Sequence, residues 1–130
     1  MKNQVLTTNE AFELQTQTQE GELTVVKIVT HPNSEFTEGW WVSVRPEIFI
    51  RPTGTQDKLG LVYAFNIPVT PEKHFFSYLG ECLLFTLFFP ALPKGTTHID
   101  IIEVEGSKSR HHFNFLNVPM SIVNKDYLWH

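Results

Sequence analysis

Eight uncharged residues, "CLLFTLFF" at 82–89, run into the loop "PALPKGTT" and then into the alternating stretch "HIDIIEVE" at 98–105. This order constrains the fold more than any other feature of the chain. An apolar run of that length, bounded by a proline, reads as a central strand covered on both faces. Leu83, Phe85, Leu87 and Phe89 form one face, and Leu84, Thr86 and Phe88 the other. Cys82, at its start, reads as a buried and inert thiol. Pro90 ends the strand by withdrawing a ladder donor, Pro93 stiffens the path, and Gly95 permits a reversal. The next stretch turns Ile99 and Ile101 inward and His98 and Asp100 outward, the pattern of an antiparallel sheet with one wet face. The loop is longer than a tight hairpin needs. It therefore reads as a corner where the chain passes between sheets, with Lys94 solvated, and not as a site.

The remaining segments carry the same period. "ELTVVKIVTH" (22–31) alternates and is rich in β-branched residues, and "HPNSEFTEG" (31–39) is turn chemistry. "WWVSVRPEIFIRP" (40–52) is one strand bent or broken at Pro46. Its Trp41, Ser43 and Arg45 oppose Trp40, Val42 and Val44. "LVYAFNIP" (61–68) is a half-buried strand with an aromatic face of Tyr63 and Phe65. Residues 69–81 read as loop plus turn, although Thr70 and Pro71 could start a short helix. "RHHFNFLNV" (110–118) forms a hairpin with 98–105, and Met120–Val123 could add a last short strand. Residues 1–21, with the polar tract "QTQTQEG", read as a flexible arm, with an edge strand using Val5, Leu6, Phe12 and Leu14 as the alternative, leaving 22–130 as a single domain. Seven to eight short strands with no convincing amphipathic helix define an all-β, immunoglobulin-like antiparallel β-sandwich.

Composition narrows the function. With 42% hydrophobic residues and eleven phenylalanines among 130 residues, the chain can bury a core without a disulfide or metal staple. Ten Lys and Arg in a net charge of −4, with no basic cluster, argue against nucleic acid as a partner. No apolar stretch is long enough to span a membrane, and the N-terminus lacks the apolar core of a signal peptide. The chain as written reads as cytoplasmic, and an exported protein trimmed of its leader would read alike.

The order "GECLLFTLFFPALPKGTTHIDIIE", followed by "FNF" and a short apolar-Pro step, resembles small immunoglobulin-like β-sandwich domains of Bacteroidetes over Trp41 to Val118. The resemblance implies an accessory or binding domain and brings no catalytic residues with it.

Six histidines raise a metal hypothesis. His111 and His112 are neighbours, which on a strand point to opposite faces, so they cannot grip one ion together. His98 could join one of them, with Asp100 or Glu103 completing a site. No metal-binding spacing such as HExxH occurs, so neither a metal nor another cofactor is expected. Asp100, Glu103 and Glu105 could supply acid–base carboxylates, but a run of acids at a strand end is more often a solvated edge. No serine sits in a nucleophile-elbow motif. "GWWVSV" (39–44) is the strongest binding lead, because one of Trp40 and Trp41 should face outward. The expected function is a non-catalytic module holding a protein or peptide partner, or a second copy of itself, through a sheet face or an edge strand. A carbohydrate-binding module using Trp40 or Trp41 and a histidine-based, metal-dependent hydrolase are the alternatives.

Overall fold

In a computed structural model of the chain, which describes residues 12–30, 41–77, 81–108 and 112–121, every regular element is a β-strand. Ten are found among the described residues: β1 (Phe12–Glu20), β2 (Leu23–Thr30), β3 (Trp41–Val42), β4 (Phe49–Pro52), β5 (Leu59–Gly60), β6 (Tyr63–Phe65), β7 (His74–Phe75), β8 (Leu84–Pro90), β9 (His98–Ile102) and β10 (Phe115–Pro119). They form one four-stranded sheet in the order β1-β2-β8-β6, a second in the order β10-β9-β4-β5, and a two-stranded ribbon of β3 and β7. All the strand pairs are antiparallel.

The first sheet begins with a hairpin. Glu20 faces Leu23 across a two-residue turn in which Gly21 takes a φ of 64°. Glycine reaches that region without steric cost, and the resulting turn follows the right-handed twist of the strands. The flexible arm expected for residues 1–21 is therefore corrected over 12–20, which form the edge strand β1. Phe12 and Leu14 drop into the core, and a register shift between Leu14 and Thr16 accommodates the polar Gln/Thr tract on the strand. The earlier part of the proposed arm lies outside the described residues.

β8 occupies the centre of this sheet, between β2 and β6. Phe85, Leu87 and Phe89 are buried on its inner face. Its other face is not covered as expected, since Leu84 is exposed and Thr86 and Phe88 are half-buried. Cys82 is exposed, in contrast to the buried thiol expected, because it precedes the strand and lies outside the packed run.

The loop after β8 delivers the chain to β9 in the second sheet, as a corner should. Gly95 takes a φ of 89° there, and Thr96 closes the turn by donating its N–H to Pro93 O at 3.2 Å. In β9, Ile99 and Ile101 face the core. The proline at 46 breaks rather than bends its segment: β3 ends at Val42, Ile48 N–H donates to Arg45 O at 3.1 Å, and β4 begins at Phe49. Residues 69–77 run as turns and β7, without a helix.

One continuous core joins the three sheets. It includes Val26, Ile28, Phe85 and Leu87 from the first sheet, Ile50, Ile99, Ile101 and Phe115 from the second, and Val42 from the ribbon. Phe113 sits between Phe12 and Phe85, with ring centroids 4.3 and 5.3 Å away. Both lateral seams are stitched by backbone bonds. On one side, Ser121 N–H donates to Gln17 O at 2.7 Å, tying β1 to the segment after β10. On the other, Leu61 N–H donates to Ile48 O at 3.2 Å and Val62 N–H to Phe88 O at 2.7 Å. Adjacent residues thus bond to opposite sheets. Among the described residues, no helix is long and apolar enough to cross a membrane.

Candidate functional site

Two of the three carboxylates singled out as candidate acids, Asp100 and Glu103, are structural. Asp100 is on the expected face of β9 but is buried. Its Oδ1 accepts from Thr53 Oγ1 and from the backbone N–H of Asn117, both at 2.9 Å, while Oδ2 accepts from Arg51 Nε at 3.0 Å. Arg51 lies directly opposite on β4, so one side chain joins β4, β9 and β10. The bond to Asn117 falls at the β10 register shift, where Asn117 adopts a φ of 56°.

Glu103 is only 6% exposed, which corrects its reading as part of a solvated strand end. The strand stops at Ile102, so alternation no longer governs where Glu103 points. Its Oε2 accepts the N–H of Arg45 at 2.8 Å and its Oε1 that of Phe113 at 2.9 Å. Burial pushes this carboxyl above the usual range, and the two N–H donors pull against that shift. Both oxygens of each carboxylate thus accept internal donors, and both side chains are buried in the fold.

Among the described residues, no histidine converges on these acids. His98 is exposed, with Nδ1 3.0 Å from Thr97 Oγ1. His112 Nδ1 lies 2.6 Å from Ser107 Oγ, and His111 lies outside the described residues. Among the described residues, no three His, Cys, Asp or Glu side chains are grouped to hold a metal ion. His74, which pattern reading passed over, has Nε2 2.7 Å from Glu81 Oε2, and Glu81 Oε1 accepts the N–H of Ser77 at 2.7 Å. That N–H, followed by His74, holds the Glu81 carboxyl below its ordinary range.

Two clefts flank the corner loop. One of about 500 Å³ lies between Pro93–His98 and the turn after β4. The other, about 650 Å³, faces Gln19 and Pro119–Ser121. The hydroxyls of Thr53, Thr55 and Thr96 are turned to Asp100 Oδ1, Pro52 O and Pro93 O, so the first cleft offers few uncommitted donors.

The exposed aromatics lie elsewhere. Trp41 is 47% exposed on β3, opposite the exposed Phe75 of β7. The ammonium of Lys73 stands 4.6 Å from the Trp41 ring centroid. Trp40 lies outside the described residues, so the pair cannot be placed as a unit. A larger apolar surface covers the outer face of the first sheet at β6 and β8. Tyr63 and Phe65 are 59% and 58% exposed, and Leu84 is 52% exposed. Tyr63 faces Phe88 across the strands, with ring centroids 6.1 Å apart, and Phe65 faces Thr86. Asn66 ends β6 with a φ of 66°, and its Nδ2 donates to Leu84 O at 2.6 Å. This reversal lets Ile67 enter the core while Tyr63 and Phe65 stay outside. The alternation of 61–68 already contained an aromatic face, but nothing local indicated that this was the wet one.

In comparisons with known proteins, no family model, no curated protein and no solved structure matched the chain.

Proposed function

We propose that this chain is a non-catalytic interaction module built on an immunoglobulin-like β-sandwich of the kind found in the Bacteroidetes domains it resembles. Its docking surface is the outer face of the first sheet at β6 and β8. The observation that carries the reading is the group of exposed apolar side chains Tyr63, Phe65 and Leu84. Contiguous exposed aromatics on a sheet are a recurrent feature of surfaces that bury themselves against a partner. The commitment of Asp100 and Glu103 to internal donors supports a non-catalytic role.

A carbohydrate-binding role draws on the exposure of Trp41. Lys73 already stands over one face of that indole, so a sugar ring would stack on the opposite face.

The test is affinity capture from a lysate of the source organism with wild type, Phe65→Asp and Trp41→Ala. A stoichiometric partner lost with Phe65→Asp and kept with Trp41→Ala supports this docking face. A partner lost only with Trp41→Ala moves the site to the ribbon, and no partner at all counts against the module.

A further inference from the structure

The second cleft beside the corner loop, of about 650 Å³, differs from the first in its chemistry. One wall is the loop from Leu92 to His98, and the other is Pro119–Ser121. Hydrogen bonds fix both. Leu92 N–H donates to Gln19 Oε1 at 3.2 Å, Met120 N–H joins the walls by donating to Thr97 O at 2.8 Å, and Ser121 N–H anchors the far wall to Gln17 O at 2.7 Å. Lys94 and His98 line this cleft, and no Asp or Glu does. Neither base has an ion-pair partner among the described residues. His98 Nδ1 is engaged with Thr97 Oγ1 at 3.0 Å, which leaves Nε2 for a ligand. Ser121 Oγ accepts the N–H of Gln17 at 3.3 Å and keeps its own hydrogen to donate. The acids of the surrounding elements are directed elsewhere. Asp57 borders the first cleft only, and Asp100 is held by Arg51. Glu20 and Glu22 flank the β1–β2 turn without lining the cleft, and Glu20 accepts from Thr18 Oγ1 at 2.9 Å. Leu92, Pro119 and Met120 supply an apolar lining.

We propose that this cleft binds a small amphipathic carboxylate, an aromatic or aliphatic acid. Its charged end is held by Lys94 and His98, and its body packs on Leu92, Pro119 and Met120. The volume falls in the range of about 300–1,000 Å³ of small-molecule sites, which combine an apolar lining with a few convergent polar groups. An anion is selected because two bases meet no acid within the cleft. A carboxylate is selected over a phosphate because the donors are few. Lys94 Nζ, His98 Nε2 and Ser121 Oγ match the two oxygens of a carboxylate and fall short of the three oxygens and higher charge of a phosphate. Walls already pinned by hydrogen bonds keep the ordering cost of binding low. The site is separate from the docking face of the first sheet and does not depend on it.

The experiment titrates the whole chain with 3-phenylpropanoate, its neutral amide 3-phenylpropanamide and inorganic phosphate, reading backbone amide shifts by NMR. The acid should bind with a Kd on the order of 1 mM and move the amides of Lys94–His98, Met120 and Ser121. The neutral amide should bind at least about tenfold more weakly. Lys94→Ala and His98→Ala should each lower the affinity for the acid about three- to fivefold, with thermal melts checking that both variants fold. Equal binding of the acid and its amide by wild type overturns the charge selection, whatever the variants do. Phosphate that moves the same amides with the same affinity overturns the amphipathic ligand. Shifts centred on Tyr63 and Phe65, or none up to about 10 mM acid, overturn the site and leave the interaction-module reading standing.

Discussion

Glu103 and Asn114 grip each other's backbone neighbourhood across the β9–β10 connection. Asn114 Oδ1 accepts the N–H groups of Glu103 and Val104 at 2.7 and 3.1 Å, and its Nδ2 donates to Val104 O and Ser107 O at 2.7 and 3.2 Å. Glu103 in turn receives the N–H of Phe113, the residue before Asn114. Two side chains thus supply, for an irregular connection, the partners that a ladder would have supplied.

Glu103→Gln should therefore destabilise the protein although it removes a buried charge. The glutamine amide presents a donor where Arg45 or Phe113 also donates, leaving one buried N–H without an acceptor. The expected cost at neutral pH is about 1–3 kcal/mol, read from denaturant unfolding. Because burial raises the folded-state pKa, the contribution of this carboxyl to stability is greatest below the unfolded value of 4.5. It declines as pH rises through the folded value. The stability gap between wild type and Glu103→Gln should accordingly widen as pH falls from neutral towards 4.5, and a constant gap would remove the assignment.

Glu81 has the opposite sign. Its pKa is lowered, so the stability it lends is present above 4.5 and lost as pH falls through the folded value. Hydrogen exchange should show the Ser77 amide losing protection as pH falls through that folded value, below 4.5. In Glu81→Gln that acid-induced loss should be absent. Unchanged protection of Ser77 in wild type at low pH would contradict the clamp.

The two ion pairs of Arg51 should differ in weight. Asp100→Asn strips the buried pair and turns a donor towards Arg51 Nε, at an expected cost of about 2–4 kcal/mol. Arg51 also reaches Glu105, but only at 3.6 Å and with the acid largely exposed. Glu105→Gln should change stability by less than about 0.5 kcal/mol. Equal effects would mean that Asp100 is not the organising carboxylate.

Phe65→Ser should leave the melting temperature within a few degrees of wild type, on the order of 0.5 kcal/mol, while reducing the binding of a hydrophobic dye. A loss on the order of 3 kcal/mol would instead place Phe65 in the core.

The strand content was legible in the sequence because period two survives wherever one face is buried. Val42 and Val44 alternate against Trp41 and Arg45 as expected, and Ile99 and Ile101 face inward. Legibility failed where tertiary partners override local character. The Gln/Thr tract read more readily as an arm than as the edge strand that Phe12 and Leu14 could build, yet those two residues anchor it and Gln17 bonds to the segment after β10. Leu84 and Phe88 looked interior by hydrophobicity alone, which cannot tell a covered face from an exposed one. The sequence left open which of Trp40 and Trp41 faces outward; Trp41 is exposed, Trp40 lies outside the described residues, and the exposed Tyr63 and Phe65 were not singled out. The roles of Asp100 and Glu103 depend on donors distant in sequence, Arg51 and Arg45, which no spacing pattern reveals.

The paired bonds of Leu61 and Val62 to opposite sheets have a mechanical consequence. Together with the bond of Ser121 to Gln17, they tie strands of the two larger sheets to the segments between them, so moving one sheet against the other would break backbone hydrogen bonds. A load applied at β6 passes within two residues to Ile48 and the strand that follows it. Such a frame resists shear, and the strands on either side of it hold their positions together.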